Sequence, residues 1–165
     1  MSGDDARLVR AAQHGDTLAM NELLDRLAPY VGRICGPIAL SNGDDATQEA
    51  LVAIFRALHT LREPAALHGW ARQIAVREAI RVARRDSRST PAELTEVPAA
   101  GDPQLAADIR DVLTRLSPEH RAVLTLRDVE GLDEHAAAEL LGIPTGTVKS
   151  RLHRARDSFR KAWTS

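Results

Sequence analysis

Residues 136–161, AAAELLGIPTGTVKSRLHRARDSFRK, constrain the fold of this chain more than any other stretch. An Ala/Leu-rich helix is closed by Gly142, the chain turns tightly through Ile143 and Pro144, and a second helical pattern begins at once. In that second segment Val148, Leu152, Ala155, Phe159 and then Ala162 or Trp163 recur at spacings of three and four, so one stripe faces a core. Lys149, Arg151, Arg154, Arg156, Arg160 and Lys161 fall outside the stripe, against Asp157 alone. Thr145 and Thr147 supply oxygens able to cap the helix, whose free N–H groups and positive dipole end suit a phosphate. This is the pattern of a helix-turn-helix with its second helix built for a DNA major groove. A solvated face on a packing helix is the ordinary alternative for such a charge run, and the adjoining turn argues against it.

The charge is local. The recognition segment stands at plus five while the whole chain of 165 residues stands at minus one. Aromatic residues make up 3% of the chain, and Ala and Leu dominate, which favours helices over strands and predicts an all-α protein. The length suits one medium domain or two small ones. Cys35 is the single cysteine, so the chain can build neither an internal disulfide nor a cysteine-based zinc site. It reads as a small buried hydrophobe. No apolar run approaches the ~20 residues of a membrane span, and the N-terminus lacks the order of a signal peptide, so a reduced cytoplasm is expected.

The N-terminal half predicts four helices. Asp4–Ala12 carries Leu8, Val9 and Ala12 on one side, and Gly15-Asp16 breaks it, with Asp16 placed to cap the next helix. That helix carries Ala19, Met20, Leu23, Leu24, Leu27 and Val31, and Pro29, Gly32 and Gly36-Pro37 are expected to bend or end it. Next, SNGDDATQEALVAIFRALHTL gives a helix with Leu51, Ile54, Phe55, Leu58 and Leu61 as its apolar stripe. Asp44, Asp45, Gln48, Glu49 and Arg56 then face elsewhere, on a surface too acidic to meet DNA. Arg62–Gly69 reads as a loop, with Pro64 discouraging helix and Gly69 permitting the turn back. From Trp70 a further helix packs through Trp70, Ile74, Ala75, Ile80 and Ala83. Its other positions carry Arg72, Arg77, Arg81, Arg84, Arg85 and Arg88 against Glu78 and Asp86, a second basic stripe at plus four over residues 70–88. Trp70 is more often a core residue than a stacking platform at such a position.

Residues 87–103 hold three prolines, several acids and little periodicity, and read as a flexible linker. Beyond it, residues 104–116 predict a helix through Leu105, Ile109, Val112 and Leu113. Ser117-Pro118 starts another in the favoured order of N-cap Ser and N1 Pro. Val123, Leu126 and Val129 are expected to meet the helix-turn-helix, Gly131 ends that helix, and Asp133 can cap the next. The expected organisation is one unit over residues 1–86, a linker over 87–103 and a second unit over 104–165.

The run LSPEHRAVLTLRDVEGLDEHAAAELLGIPTGTVKSRLHRARDSFRK resembles region 4 of a bacterial RNA polymerase sigma factor, and PTGTVKSRLHRAR is most similar to the extracytoplasmic function (ECF) group of the sigma-70 family. GDTLAMNELLDRLAPYVGRI resembles the start of region 2, with Met20 where an aromatic is common. The resemblance implies a non-catalytic promoter-specificity subunit that binds core RNA polymerase through the clamp helices and flap of its large subunit, recognises minus-35 and minus-10 promoter elements, and helps open the DNA. It implies that Asp44, Asp45, Gln48, Glu49 and Arg56 form the surface that docks on the clamp helices. Thr145, Thr147, Lys149, Ser150, Arg151 and Arg154 would contact the minus-35 duplex. Arg62, His68, Arg77, Arg81, Arg84 and Arg85 would hold the minus-10 strand, with a flipped base taken into the Arg62–Gly69 loop. Leu67 and Arg77 stand where the family usually has an aromatic and an Asn, which bears on the base recognised. The resemblance also implies an anti-sigma factor that covers the polymerase- and DNA-binding faces, no direct insertion into a membrane, and no cofactor or metal.

The sequence holds no P-loop, HExxH or Gly-x-Ser-x-Gly, and its six histidines lie without metal-ligand spacing. Two other classes compete. A dimeric helix-turn-helix repressor or response-regulator output domain accounts for the C-terminal third but leaves the second arginine stripe unexplained. An adaptor that binds polymerase without reading promoters accounts for the acidic helix and not for the basic one.

Overall fold

The computed structural model describes residues 3–86 and 103–164, and all regular structure in them is helical. The expected linker, residues 87–103, lies outside the described residues except for Pro103, which begins a helix. The first unit comprises α1 (Gly3–Gln13), α2 (Thr17–Ala39), α3 (Gly43–Ala57) and α4 (Leu67–Asp86). The second comprises α5 (Pro103–Thr114), α6 (Pro118–Leu124), α7 (Glu134–Leu141) and α8 (Thr145–Thr164).

α2 is the axis of the first unit, packed against α1, α3 and α4. Asp16 caps it as expected, accepting the Ala19 N–H at 3.1 Å. The helix then continues through both positions where the sequence predicted a bend or an end, with Pro29 and Pro37 inside its 23 residues. An interior proline costs ~3 kcal/mol in a helix. Against that cost, Leu23, Leu27, Val31, Ile34 and Ile38 form an unbroken stripe that is almost wholly withdrawn from water, and each such side chain contributes ~1.5–3 kcal/mol. Pro29 is exposed, so its clash and its lost hydrogen bond fall on the solvent side. Packing therefore decides the outcome. The helix stops at Leu40, held at φ 55° with its N–H bonded to Gly36 O. Beside it α3 comes so close that a Cβ on Gly43 would stand 3.2 Å from the Gly36 Cα, and only glycine fits there without a shift.

Two further expectations are corrected here. α4 begins at Leu67, not Trp70, and Gly69 lies inside it; only Leu61, Arg62 and Glu63 lack helical structure before a short 3₁₀ turn at Pro64–Ala66. Leu67 is fully buried and so pulls the first turn of the helix onto the core. Phe55, placed on the α3 core stripe by its spacing, is 52% exposed. The apolar residues of α3 run most of the way round the helix, and Ala46, Ala50 and Ile54 take the buried side.

In the second unit, Ser117 caps α6 by accepting the His120 N–H at 3.2 Å, with Pro118 at the first helical position. α6 does not end at Leu124 but widens into five residues of π-helix, Thr125–Val129. The wider turn shifts the phase of everything after Thr125. Val123 and Leu126 are buried as expected, whereas Val129 is turned out to 66% exposure. Asp133 caps α7 through the Ala136 N–H at 2.7 Å, and Gly142 closes it at φ 67°, the left-handed value that glycine accommodates.

The two units touch. α6 packs on α2 and α4, α7 reaches α4, and Ala122, Val123 and Leu126 join one apolar cluster with the cores of both units.

Candidate DNA and polymerase interfaces

α8 is positioned by the stripe read from the sequence: Val148, Leu152 and Ala155 are buried, and Phe159 is half-buried. Pro144 takes the N-cap place, its carbonyl accepting the N–H groups of Thr147 and Val148 at 3.0 and 3.2 Å. Thr145 and Thr147 thus stand in the first turn rather than before it. Lys149, Ser150 and Arg154 are exposed on the following turns and Arg151 half so, which brings the six predicted minus-35 residues onto the N-terminal half of a single helix. Glu134, 3.6 Å from Lys149, is the only carboxylate within ion-pair distance of these cations among the described residues. Further along, the exposed Arg156 pairs at 2.6 Å with Asp128 of the π-helical turn, within the same unit.

Arg151 and Arg154 act on a half-buried neighbour, His120. Burial first, and then the two guanidinium charges, lower the His120 pKa from its ordinary value. Its Nδ1 lies 2.6 Å from Ser117 Oγ, and its Nε2 is buried without a protein partner.

The predicted minus-10 set divides. Arg77, Arg81, Arg84 and Arg85 share one face of α4 and line a cleft with Gln73, Val76 and Ile80. Arg81 bonds Glu78 and Glu49 at 2.5 Å, Arg85 bonds Glu49 at 3.0 Å and lies 3.6 Å from Asp45, and Arg84 pairs with Glu119 of α6. The hydrogen bond from Arg85, and then the Arg81 charge, hold the Glu49 carboxyl below its ordinary pKa. Arg62 sits apart, at the rim of an open pocket formed with Thr60, Leu61, Ala66, Gly69 and Trp70. Trp70 is half-buried, with one side on the core and the other in this pocket. His68 does not join either group. Its ring meets the edge of Tyr30 on α2, centroids 5.3 Å apart, and Tyr30 in turn carries the Arg33 guanidinium 6.0 Å from its ring.

On α3, Gln48, Glu49, Val52, Ala53 and Arg56 line a shallow depression floored by Glu78 and Arg81 of α4. Asp44 and Asp45 are exposed in the first turn. Sequence reasoning missed the apolar part of this surface: Val52 and Phe55 stand 45% and 52% exposed beside the charged residues. The signal was present in the overfull apolar count of the helix, which has more large residues than one buried stripe can take.

Cys35 is fully buried, its Sγ donating to Ala75 O at 3.6 Å, and burial pushes the thiol up to about 12. Among the described residues no group of His, Cys, Asp or Glu is arranged to hold a metal ion, and no helix is long and apolar enough to cross a membrane.

Residues 20–89 match the model of sigma-70 region 2, and residues 106–158 match that of sigma-70 region 4. The chain is 32% identical over 163 residues to the ECF RNA polymerase sigma factor SigE of Mycolicibacterium smegmatis, covering 88% of this chain and 63% of that one. It is 30% identical over 176 residues to the ECF RNA polymerase sigma-E factor of Escherichia coli K12, covering 94% of this chain and 92% of that one. Among solved structures, the sigma factor RpoE of Bartonella quintana, in complex with the anti-sigma factor NepR, superposes with a TM-score of 0.72 at 20% identity, over 87% of this chain and 96% of that one. CnrH, in complex with the cytosolic domain of CnrY, gives 0.66 at 22%, over 98% and 97%. These two support the fold. With both regions matched in order and a near full-length relative at 30% identity, the chain belongs to the ECF group of the sigma-70 family of RNA polymerase sigma factors, which are non-catalytic initiation factors.

Proposed function

We propose that each unit of this sigma factor makes one promoter contact and that α3 docks the chain on core RNA polymerase. The observation that carries the division of labour is the placement of charge: basic residues gather on α8 and on one face of α4, while the exposed side of α3 is acidic and apolar. In this reading residues 1–86 form the polymerase-docking and minus-10 unit, and residues 104–165 the minus-35 unit, joined through 87–103.

Lys149, Ser150, Arg151 and Arg154 meet the minus-35 duplex, with Thr145 and Thr147 bonding phosphate at the helix start. A cation on a guanine edge is worth ~1–3 kcal/mol of discrimination, and phosphate contacts set the register. Arg77, Arg81, Arg84 and Arg85 grip the backbone of the opened minus-10 strand, while Arg62 stands at the pocket that takes an unstacked base against Trp70. The structure supports Arg62 for this role better than His68, whose ring is engaged with Tyr30. Asp44, Asp45, Gln48, Glu49 and Arg56 orient α3 on the clamp helices, around an apolar centre of Val52 and Phe55. The second apolar groove, where Leu113, Leu124, Val129 and Phe159 meet, suits the flap of the polymerase or the helix of an anti-sigma factor. Its work on chromosomal promoters places the protein in the cytoplasm.

A pair of variants separates the surfaces. Lys149→Ala with Arg151→Ala should weaken binding to a minus-35 duplex at least tenfold and leave core-polymerase affinity unchanged. Gln48→Lys with Glu49→Lys should do the reverse, measured by fluorescence anisotropy with labelled duplex and labelled core. Loss of both affinities in either variant, at unchanged helicity, contradicts the division.

A further inference from the structure

Glu49 belongs to two surfaces at once. It stands in the α3 depression with Gln48, Val52 and Arg56, the face assigned above to polymerase docking. Both of its carboxylate oxygens are nevertheless turned to α4: Oε2 accepts from Arg81 Nη2 at 2.5 Å and Oε1 from Arg85 Nη2 at 3.0 Å. Arg85 also lies 3.6 Å from Asp45, a second acid of the docking set. Arg81 lines the α3 depression and the α4 cleft alike, and Arg85 lines the cleft. The two faces therefore meet along one row of charges, Asp45 and Glu49 on α3 against Arg85 and Arg81 on α4. These four side chains are between 30% and 65% exposed, so a partner on either side can reach them. Glu78 differs: it is 16% exposed and holds Arg81 from within α4, through Nε and Nη2.

The row sets what each face accepts. Asp44, Asp45 and Glu49 make the start of α3 acidic, so the groups that dock there are cationic. A cation approaching Glu49 meets two guanidinium groups already bonded to it and is repelled by both. A phosphate approaching Arg81 and Arg85 meets the opposite conflict, from Glu49 and Asp45. One rearrangement removes both conflicts: Glu49 turns to the docking cation, and Arg81 and Arg85 turn to the strand. Only side-chain torsions change, and Glu78 keeps Arg81 on the α4 face while its bond to Glu49 breaks.

We propose that Glu49 is a positioning residue shared by the two sites: a cationic helix docked on α3 takes its carboxylate, which releases Arg81 and Arg85 to the phosphates of the opened strand. The coupling is positive and reciprocal, so occupancy of either face raises the affinity of the other by the same factor. It rests on the assignment of α3 to docking and α4 to the strand, and adds that one carboxylate links them. A consequence is that Arg85, a DNA-facing residue, opposes docking when no DNA is bound.

The test is a double-mutant cycle on the affinity of the full chain for labelled core RNA polymerase, using Glu49→Gln, Arg85→Gln and the two together. Circular dichroism checks folding. Exposed ion pairs are individually weak, so effects of about two- to fivefold are expected. Glu49→Gln should lower core affinity. Arg85→Gln should raise it about threefold in the wild-type background and less than about 1.5-fold beside Glu49→Gln, the remainder coming through Asp45. Arg81→Gln, which loses a bond to Glu49 and none to Asp45, repeats the cycle. Anisotropy with a labelled mixed-sequence dodecamer reads the other face: Glu49→Gln should raise the single-strand affinity of the free chain about threefold, and the gain should vanish beside Arg81→Gln with Arg85→Gln. Wild-type core affinity in Glu49→Gln removes Glu49 from the docking face, and the sharing with it. A loss in Glu49→Gln with no gain in either arginine variant leaves docking in place and overturns the sharing. Equal gains in both backgrounds assign the effect to the general field of a lost charge and also overturn it. A core cycle as expected, without a gain in strand affinity, overturns the release of the arginines. Strand affinity unchanged in the double arginine variant means that the α4 assignment itself has failed.

Discussion

His120 shows how one residue ties the stability of the C-terminal unit to its DNA-facing charges. Its protonated form is disfavoured by burial and by Arg151 and Arg154, so the folded state holds a proton less readily than the unfolded chain does. The stability this gives is fully present above the unfolded value near pH 6.5, and it is lost as the pH falls from there through the folded value. Thermal melts should therefore show a fall in the melting temperature on acidification below about pH 6.5, and His120→Gln should remove that part of the dependence. An acid slope unchanged in the variant assigns it to carboxylates instead. At this scale, local chemistry was legible in the sequence. Asp16, Ser117, Asp133 and Gly142 were all placed correctly, because a cap is set by the residues within four positions of it. Arg121 was not, because nothing in RAVL says that its guanidinium reaches a carbonyl 83 residues away.

Elements were legible where their apolar period was clean and misread where two periods competed. α8 kept the stripe its spacing gave from Val148 to Phe159, and the burial of Ala162 and Trp163 lies outside what the structure describes. α3 carries apolar residues on more than one side, and the spacing could not say whether Ile54 or Phe55 would be outermost; contact with α2 and α4 decided it. Val129 was lost to the π-helical turn, a change of phase that a 3.6-residue period cannot anticipate. α2 ran through two prolines because its buried face outweighs them. The exposed pair Val52 and Phe55 is the functional residue set that spacing missed, and in our reading it is the apolar centre of the polymerase contact. Phe55→Ala should lower core-polymerase affinity by about tenfold, the scale of a truncated interface aromatic, with helicity and binding to duplex DNA unchanged. Unchanged core affinity in a folded Phe55→Ala protein would remove Phe55 from that contact.

For the whole molecule, the sequence separated two units correctly in composition and charge, and said nothing of how they pack together. Packing between the units rests on Ala122, Val123 and Leu126, whose apolar character serves equally for a unit core and for a contact between units. The account makes α8 and α4 parts of one device, each too weak alone, with residues 87–103 setting the effective concentration of the second contact once the first is made. Run-off transcription by core RNA polymerase with the purified chain, from a pool of randomised promoter fragments, tests this most directly. The account predicts transcripts that depend on the chain and share two sequence blocks at a fixed spacing, the upstream block lost with Lys149→Ala and Arg151→Ala. No transcript from a folded chain bound to core, or enrichment of a single palindromic block, would contradict it.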